Sequence, residues 1–333
     1  MSALNRQVLL ASRPTGWVTP DNFRIVDAPV PVPAEGQVLV RNRFLSLDPY
    51  MRGRMDAAKS YAASVEIGSV MVGGTVGQVV DSRSPRFKPG DWVAGAFGWQ
   101  WFGCADAGQL SRIDTTLAPP SWYLGALGMP GVTAWVGLMD IGQPKAGETV
   151  VVSAASGAVG SVVGQLARIA GCRVVGIAGG AAKCAYVVNE LGLDACVDHK
   201  AGSLRNALAA AAPKGVDINF ENVGGETLDA ILPLMNDFSR IPLCGLVSQY
   251  NATEAYGVKN FRYILSARIR LQGFIVSDRM QLWKPALADL ARHVKEGRLK
   301  YRESIAEGLD AAPAALIGML RGENFGKQVV RLV

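Results

Sequence analysis

The segment Thr149–Leu166, TVVVSAASGAVGSVVGQL, constrains this chain more than any other. An apolar β-branched run enters a turn of small residues, and an apolar-periodic stretch leaves it. That order predicts strand, glycine turn and helix, the arrangement that sets backbone N–H groups and a helix N-terminus against a pyrophosphate. Ala155–Gly160 reads A-x-G-x-x-G, with alanine at the first glycine position. Small-residue turns also serve plain helix–strand packing, so the turn alone leaves both readings open.

The next strand sharpens the choice. Cys172–Gly180 reads as a second buried strand ending in Gly179 and Gly180. NAD-binding folds place an Asp or Glu there to bond the ribose 2′-OH. No acid occurs from Gly171 to Lys183, and Lys183 is the first charged residue past the strand. An acidless strand end with a nearby cation suits a 2′-phosphate, so NADP(H) is the expected cofactor. A solvated helix lysine explains Lys183 equally well when it is taken alone.

Further strand-like runs lie at Ala195–His199, Val216–Phe220, Arg240–Val247 and Arg270–Val276, with helical segments such as Ser203–Ala212 and Glu226–Met235 between them. This alternation predicts an α/β fold, a doubly wound parallel sheet of six strands from about residue 126 to 300. Residues 1 to about 125 have another rhythm. Short strands at Gln7–Ala11, Phe23–Asp27, Gln37–Asn42, Thr75–Asp81 and Trp92–Ala96 are divided by Pro- and Gly-rich turns, which predicts a small irregular β-barrel.

A chain of 333 residues exceeds the usual span of one hydrophobic core, so two domains are expected. The net charge of +6 is scattered, and its densest cluster, Arg41–Arg54, is interleaved with Leu, Met and Tyr. That argues against a nucleic-acid face. Apolar stretches are broken well short of a membrane span. Five cysteines, an odd number without paired spacing, point to reduced thiols in the cytoplasm, used as small buried hydrophobes.

Several motifs resemble one family. They are Leu45–Arg52 (LSLDPYMR), the F-x-x-G-D-x-V turn at Phe87–Val93, Gly128–Ala134, Ala154–Gly160, Glu221–Gly225 (ENVGG), Cys244–Asn251, Gly273–Val276 and Gly322–Lys327 (GENFGK). The chain resembles the zinc-independent medium-chain dehydrogenase/reductase superfamily, in the branch of curcumin, plant double-bond and prostaglandin reductases. The resemblance implies a GroES-like barrel from 1–125 completed by 303–333, a Rossmann NADP(H)-binding domain from 126–302, and a homodimer. It also implies that Ala154, Ala155, Ser156, Gly157, Ala158, Val159 and Gly160 carry the pyrophosphate, with Gly179 and Lys183 near the 2′-phosphate. Pro49, Tyr50, Asn222, Cys244, Tyr250, Phe274, Ile275, Val276 and Asn324 match further cofactor positions. His199 stands where the family usually has tyrosine; an imidazole can also donate to a phosphate, and a strand-end surface histidine fits as well.

The residues themselves disfavour a catalytic zinc, so no metal is expected. Such a site needs about three protein ligands. The only histidines, His199 and His293, lie outside the barrel, Cys104 is its single cysteine, and no C-x-x-C pair exists. Hydride transfer to a conjugated C=C needs less help, because charge develops on an enolate oxygen that hydrogen-bond donors can hold. The expected activity is NADPH-dependent reduction of α,β-unsaturated ketones and aldehydes. The alternatives are a quinone reductase and a non-catalytic NADPH-binding protein. Tyr50 and Tyr250 match the substrate-facing, catalytic tyrosines of the resembling family, and Tyr61 matches the pocket entrance. Arg52 reads as a salt-bridge residue as readily as a binding one. His293, with no acidic partner expected on its helix, reads as structural.

Overall fold

Every residue of Thr149–Val152 is buried in the computed structural model, whose described residues are 4–332. A β-branched strand covered on both faces is the signature of a parallel sheet flanked by helices. The chain divides into two compact units. One holds the described residues up to Gly125 together with those from Glu303 on, and the other spans Ala126–Arg302.

The first unit opens with an antiparallel pair, β1 (Leu4–Leu10) and β2 (Phe23–Pro29). There follow β3 (Gln37–Ser46), the short helix α1 (Tyr50–Arg54), β4 (Thr75–Ser82), β5 (Trp92–Gly95), β6 (Phe102–Asp106) and β7 (Ser111–Arg112). Asp91 closes the turn before β5, accepting the Lys88 N–H at 2.9 Å and pairing with Arg112 at 2.7 Å.

The second unit begins with α2 (Met129–Trp135), which continues into a π-helical turn over Val136–Gly142. Then β8 (Thr149–Val152), α3 (Gly160–Ile169), β9 (Arg173–Ala178), α4 (Ala181–Asn189), β10 (Ala195–Asp198) and α5 (Leu204–Ala211) alternate. They are followed by β11 (Val216–Phe220), α6 (Gly225–Ile231), β12 (Met235–Leu243), α7 (Arg262–Ser266), β13 (Arg270–Gly273) and α8 (Trp283–Lys295). The six strands lie in the order β10-β9-β8-β11-β12-β13, all parallel. This is the doubly wound Rossmann order, with its switch point between β8 and β11.

The chain then completes the first unit with β14 (Glu303–Glu307), α9 (Ala312–Leu320) and β15 (Lys327–Arg331). Its large sheet runs β14-β15-β3-β4-β5-β7, with β6 also on β3. Its core gathers Leu45, Leu47 and Met51 against Leu316, Leu320 and Val330, so the two ends of the sequence share one apolar interior.

Several boundaries differ from expectation. The helix expected over Glu226–Met235 stops at Ile231, because Pro233 cannot continue it, and β12 begins already at Met235. That strand ends at Leu243, before Gly245. The strand expected to reach Val276 ends at Gly273, and Phe274–Val276 lead into a helical turn. Among the described residues no helix is long and apolar enough to cross a membrane.

Candidate cofactor and substrate site

At the switch point, β8 and β11 end side by side and their next residues are tied together. Ser153 Oγ donates to Glu221 Oε1 at 2.8 Å and accepts the Asn222 N–H at 2.7 Å. Asn222 Nδ2 returns a bond to the Ser153 carbonyl at 2.8 Å. Glu221 is fully buried with no cation among its hydrogen-bond partners. Its carboxylate is satisfied by the N–H groups of Val223 at 2.7 Å and Gly224 at 2.9 Å, and by Asn219 Nδ2 at 2.9 Å. The ENVGG motif is thus a turn wound around its own glutamate.

Beyond Ser153 the chain enters the small-residue turn, with Ala154 in the left-handed region at φ 51°. At Gly160 a Cβ would stand 2.3 Å from the Ala154 carbonyl oxygen, so α3 can start this close only with glycine there. At Gly157 a Cβ would meet that oxygen alone, at 3.2 Å, and its other side is open. The N–H groups of Ala158, Val159 and Gly160 meet no protein acceptor among the described residues. Unpaired donors at the start of α3 suit an anion, and Gly157 leaves room for one to approach.

A second anion-suited feature lies at the end of β9. A Cβ on Gly179 would fall 2.8 Å from His199 Nε2 and 3.1 Å from Lys200 Cε, so glycine here is the floor of a cradle. Lys183 approaches from α4. Burial, then the charge of Lys200, pulls its ammonium below the ordinary lysine value. Partial desolvation, then Lys200, also lowers the His199 imidazole, with Asp198 opposing. Asp198 lies beside His199, and its Oδ1 is taken by the N–H groups of Gly180 at 2.8 Å and Lys200 at 2.9 Å. Those bonds hold its carboxyl below the usual range. The residues fit a 2′-phosphate. Lys200 and Asp198 carry no such signal in the sequence, because Asp198 ends β10 and Lys200 follows it, two strands along from the turn after β8.

Tyr250 follows Val247–Gln249, and its hydroxyl lies over Gly245, accepting the Leu246 N–H at a long 3.4 Å. Half-buried Cys244 donates its N–H to the Glu221 carbonyl, and burial followed by the Glu221 charge pushes its thiol up to about 12. Phe274 packs edge-on against Phe220 at 6.4 Å, ahead of Ile275 and Val276. The loop from Asn251 to Tyr263 is pinned by buried Asp229, which accepts the Tyr256 hydroxyl at 2.7 Å and the N–H groups of Lys259 and Asn260 at 3.0 and 2.9 Å.

In the first unit, Asp48 and Lys327 form a buried ion pair at 2.6 Å, and Lys327 Nζ also donates to the Leu47 carbonyl at 2.7 Å. Ser46 Oγ donates to the other Asp48 oxygen. LSLDPYMR and GENFGK, far apart in sequence, are therefore clamped together beside Pro49 and Tyr50. Asn324, in the turn before β15, donates to the Gly326 carbonyl at 2.8 Å. Burial, then the Asp48 charge, drives the Tyr50 phenol well above its ordinary value, and Tyr61 adds to the rise. Tyr50 and Tyr61 are thus brought together, Tyr61 mostly exposed. Arg52 is buried, pairing with Asp56 at 2.6 Å and the Gly16 carbonyl at 3.0 Å, which gives it a structural role.

Two readings need correcting. His293 does have an acidic neighbour one turn back, Asp289 Oδ1 at 3.5 Å, and Asp289 also accepts Trp135 Nε1 at 3.0 Å. Only Cys172 among the cysteines is fully buried. A basic concavity of about 290 Å³, lined by Lys145, Arg240, Arg268 and Arg270, lies at the opposite, N-terminal ends of β12 and β13. Its Arg240 is committed to Glu148 at 2.7 Å and Arg268 to Asp237, so it is no part of this site.

Residues 6–113 match a family model described as the N-terminal domain of oxidoreductase, and residues 158–292 one described as zinc-binding dehydrogenase. Among the described residues no three His, Cys, Asp or Glu side chains gather as a metal site, so they do not fit the zinc of that description. The chain is 51% identical to the NADPH-dependent curcumin reductase of Escherichia coli, over 98% of this chain and 97% of that one. It is 42% identical to a 2-alkenal reductase (NADP(+)-dependent) of Nicotiana tabacum, over 98% and 97%. The crystal structure of CurA in complex with NADPH from Vibrio vulnificus superimposes with a TM-score of 0.95 at 49% identity, over 98% of this chain and 99% of that one. The parallel sheet in Rossmann order, the separate mixed sheet of the first unit and this full-length likeness place the chain in the medium-chain dehydrogenase/reductase superfamily, in the branch of curcumin, 2-alkenal and prostaglandin reductases.

Proposed function

We propose that this protein reduces the activated C=C bond of α,β-unsaturated ketones and aldehydes with NADPH. The observation that carries the cofactor choice is the cradle of Lys183, His199 and Lys200 over Gly179, taken with full-length likeness to NADPH-dependent reductases of such bonds. The unpaired N–H groups of Ala158, Val159 and Gly160 bind the pyrophosphate, and the cradle binds the 2′-phosphate. Asn222, Cys244, Phe274, Ile275, Val276, Pro49, Tyr50 and Asn324 are the further cofactor-contact residues of this reading.

Bound NADPH supplies hydride to the β-carbon of the substrate. What the chain contributes is a hydrogen bond to the enolate oxygen as charge develops there. Tyr50 suits that part, since a phenol raised so far holds its proton and donates without releasing it. Tyr250 accepts from a backbone N–H, which orients its O–H as a donor. Solvent or a tyrosine protonates the α-carbon. The working protein is a cytoplasmic homodimer, and light scattering at one chain mass would refute the dimer.

The test is NADPH oxidation with a panel of enones and enals, run beside NADH and a simple quinone. Rapid enone turnover with NADPH and slow turnover with NADH is the expected result. Turnover of quinones alone would move the protein to the sister chemistry, and tight NADPH binding with no turnover would make it a binding protein.

A further inference from the structure

Cys184 stands in the first turn of α4, directly after Lys183, and Cys196 lies in β10, two residues before Asp198. They come from neighbouring elements, and the Cys196 thiol donates to Cys184 Sγ at 2.9 Å. A disulfide bond measures about 2.05 Å, so closure needs less than an ångström of approach. Both side chains are half-buried and so within reach of a small oxidant. The two positions also frame the cradle. Lys183 rides on the α4 turn next to Cys184. Asp198 Oδ1, just beyond Cys196, holds the Gly180 and Lys200 N–H groups that shape its floor.

We propose that Cys184 and Cys196 are an oxidisable pair that a peroxide converts to an intramolecular disulfide, and that this cross-link weakens the grip on the 2′-phosphate of NADPH. The second half rests on the cofactor reading above. Cys184, beside a lysine in a helical first turn, attacks the peroxide, becoming a sulfenic acid as the O–O bond breaks and one water leaves. Cys196, whose thiol is raised by burial and by Cys184, then attacks that sulfur, and a second water departs. Two thiols have lost two electrons and two protons to one peroxide, and a dithiol reverses the change. The new bond ties α4 to β10 and shifts Lys183, on α4, relative to His199 and Lys200, which follow β10.

The experiment uses the full chain, reduced and then titrated with hydrogen peroxide, with free thiols blocked and peptides mass-mapped. NADPH and NADH affinities are measured in the reduced, oxidised and dithiothreitol-treated states. The expected result is a Cys184–Cys196 cross-link and NADPH affinity lowered about tenfold, the scale of one charged phosphate contact. NADH affinity should change little, and dithiothreitol should restore NADPH binding. Cys184→Ser should bind NADPH as the reduced wild type does and ignore peroxide, while Cys172→Ser should still respond. Sulfinic acid at Cys184 without a cross-link would overturn the proposal, as would a cross-link that leaves NADPH affinity unchanged. A reduced chain that binds NADPH no better than NADH would instead overturn the 2′-phosphate reading, and with it the effect of closure. The cross-link mass would still decide whether the pair is oxidisable. The wild-type comparison with and without dithiothreitol stands even if a serine variant folds poorly.

Discussion

Each unit of this protein is held at its functional edge by a buried carboxylate, and the two solve the problem of burial differently. Asp48 meets a cation, Lys327, at 2.6 Å. Glu221 meets only neutral donors: the Ser153 hydroxyl, two backbone N–H groups and the Asn219 amide. Burying an isolated charge is costly, so both need dense compensation. The ion pair supplies it across 279 residues of sequence and clamps the start of β15 to the residues just after β3. The neutral network supplies it within one turn and across to β8, where backbone dipoles are already fixed by the parallel sheet. A charge that must join remote segments needs a partner on the far segment. A charge that organises a turn can draw on the turn itself.

Breaking the ion pair should have the largest effect. Lys327→Met leaves Asp48 buried without its cation, and urea denaturation should show a loss of about 3–5 kcal/mol. Adding Asp48→Leu should recover much of that loss, because it removes the stranded charge; equal stability of single and double variants would contradict the pairing argument. Glu221→Ala comes next, leaving the Val223, Gly224 and Asn219 donors without an acceptor and Ser153 Oγ with only the Phe220 carbonyl at 3.3 Å, at a cost of about 1–3 kcal/mol. NADPH binding should weaken with it, as Ser153, which holds Asn222, loses its Glu221 acceptor. Glu221→Gln should cost under about 1 kcal/mol. Asn219 Oδ1 is buried without a partner, so a flipped Asn219 amide can accept the new glutamine NH₂ while the glutamine oxygen keeps the other donors. A loss as large as that of the alanine variant would show that the charge itself is required.

The smallest effect concerns pH, and it separates the units because both histidines lie in the Rossmann one. Burial lowers His293 below its ordinary 6.5, and desolvation with Lys200 lowers His199. A lowered pKa means that the unfolded chain takes up the proton first. Their contribution is complete above 6.5 and is lost as pH falls from there toward the folded values. Melting temperatures between about pH 7 and 5 should therefore decline, and His293→Gln should flatten the slope. An unchanged slope would assign it to other groups.

The frame of the candidate site was legible before the fold. β8, its turn and α3 follow from a valine run meeting small residues, and the acidless end of β9 already separated the two phosphate chemistries. Tyr50 and Tyr250 came only from resemblance, since nothing local distinguishes either from a half-buried core tyrosine. His293 departs from expectation because Asp289, one turn back on the same helix, lies 3.5 Å from its Nε2. Cys184 and Cys196 carried no spacing signal, because a helix and a strand separate them.

The sequence by itself determined the strand–turn–helix units and the six strands of a parallel sheet, because local propensity and periodicity act within a few turns of chain. Tertiary structure alone decided that Lys200 joins Lys183 and His199 over Gly179, that Lys327 neutralises Asp48, and that two thiols meet. Those pairings depend on which elements a common core brings side by side, and burial makes them strong once there. No local pattern encodes that adjacency.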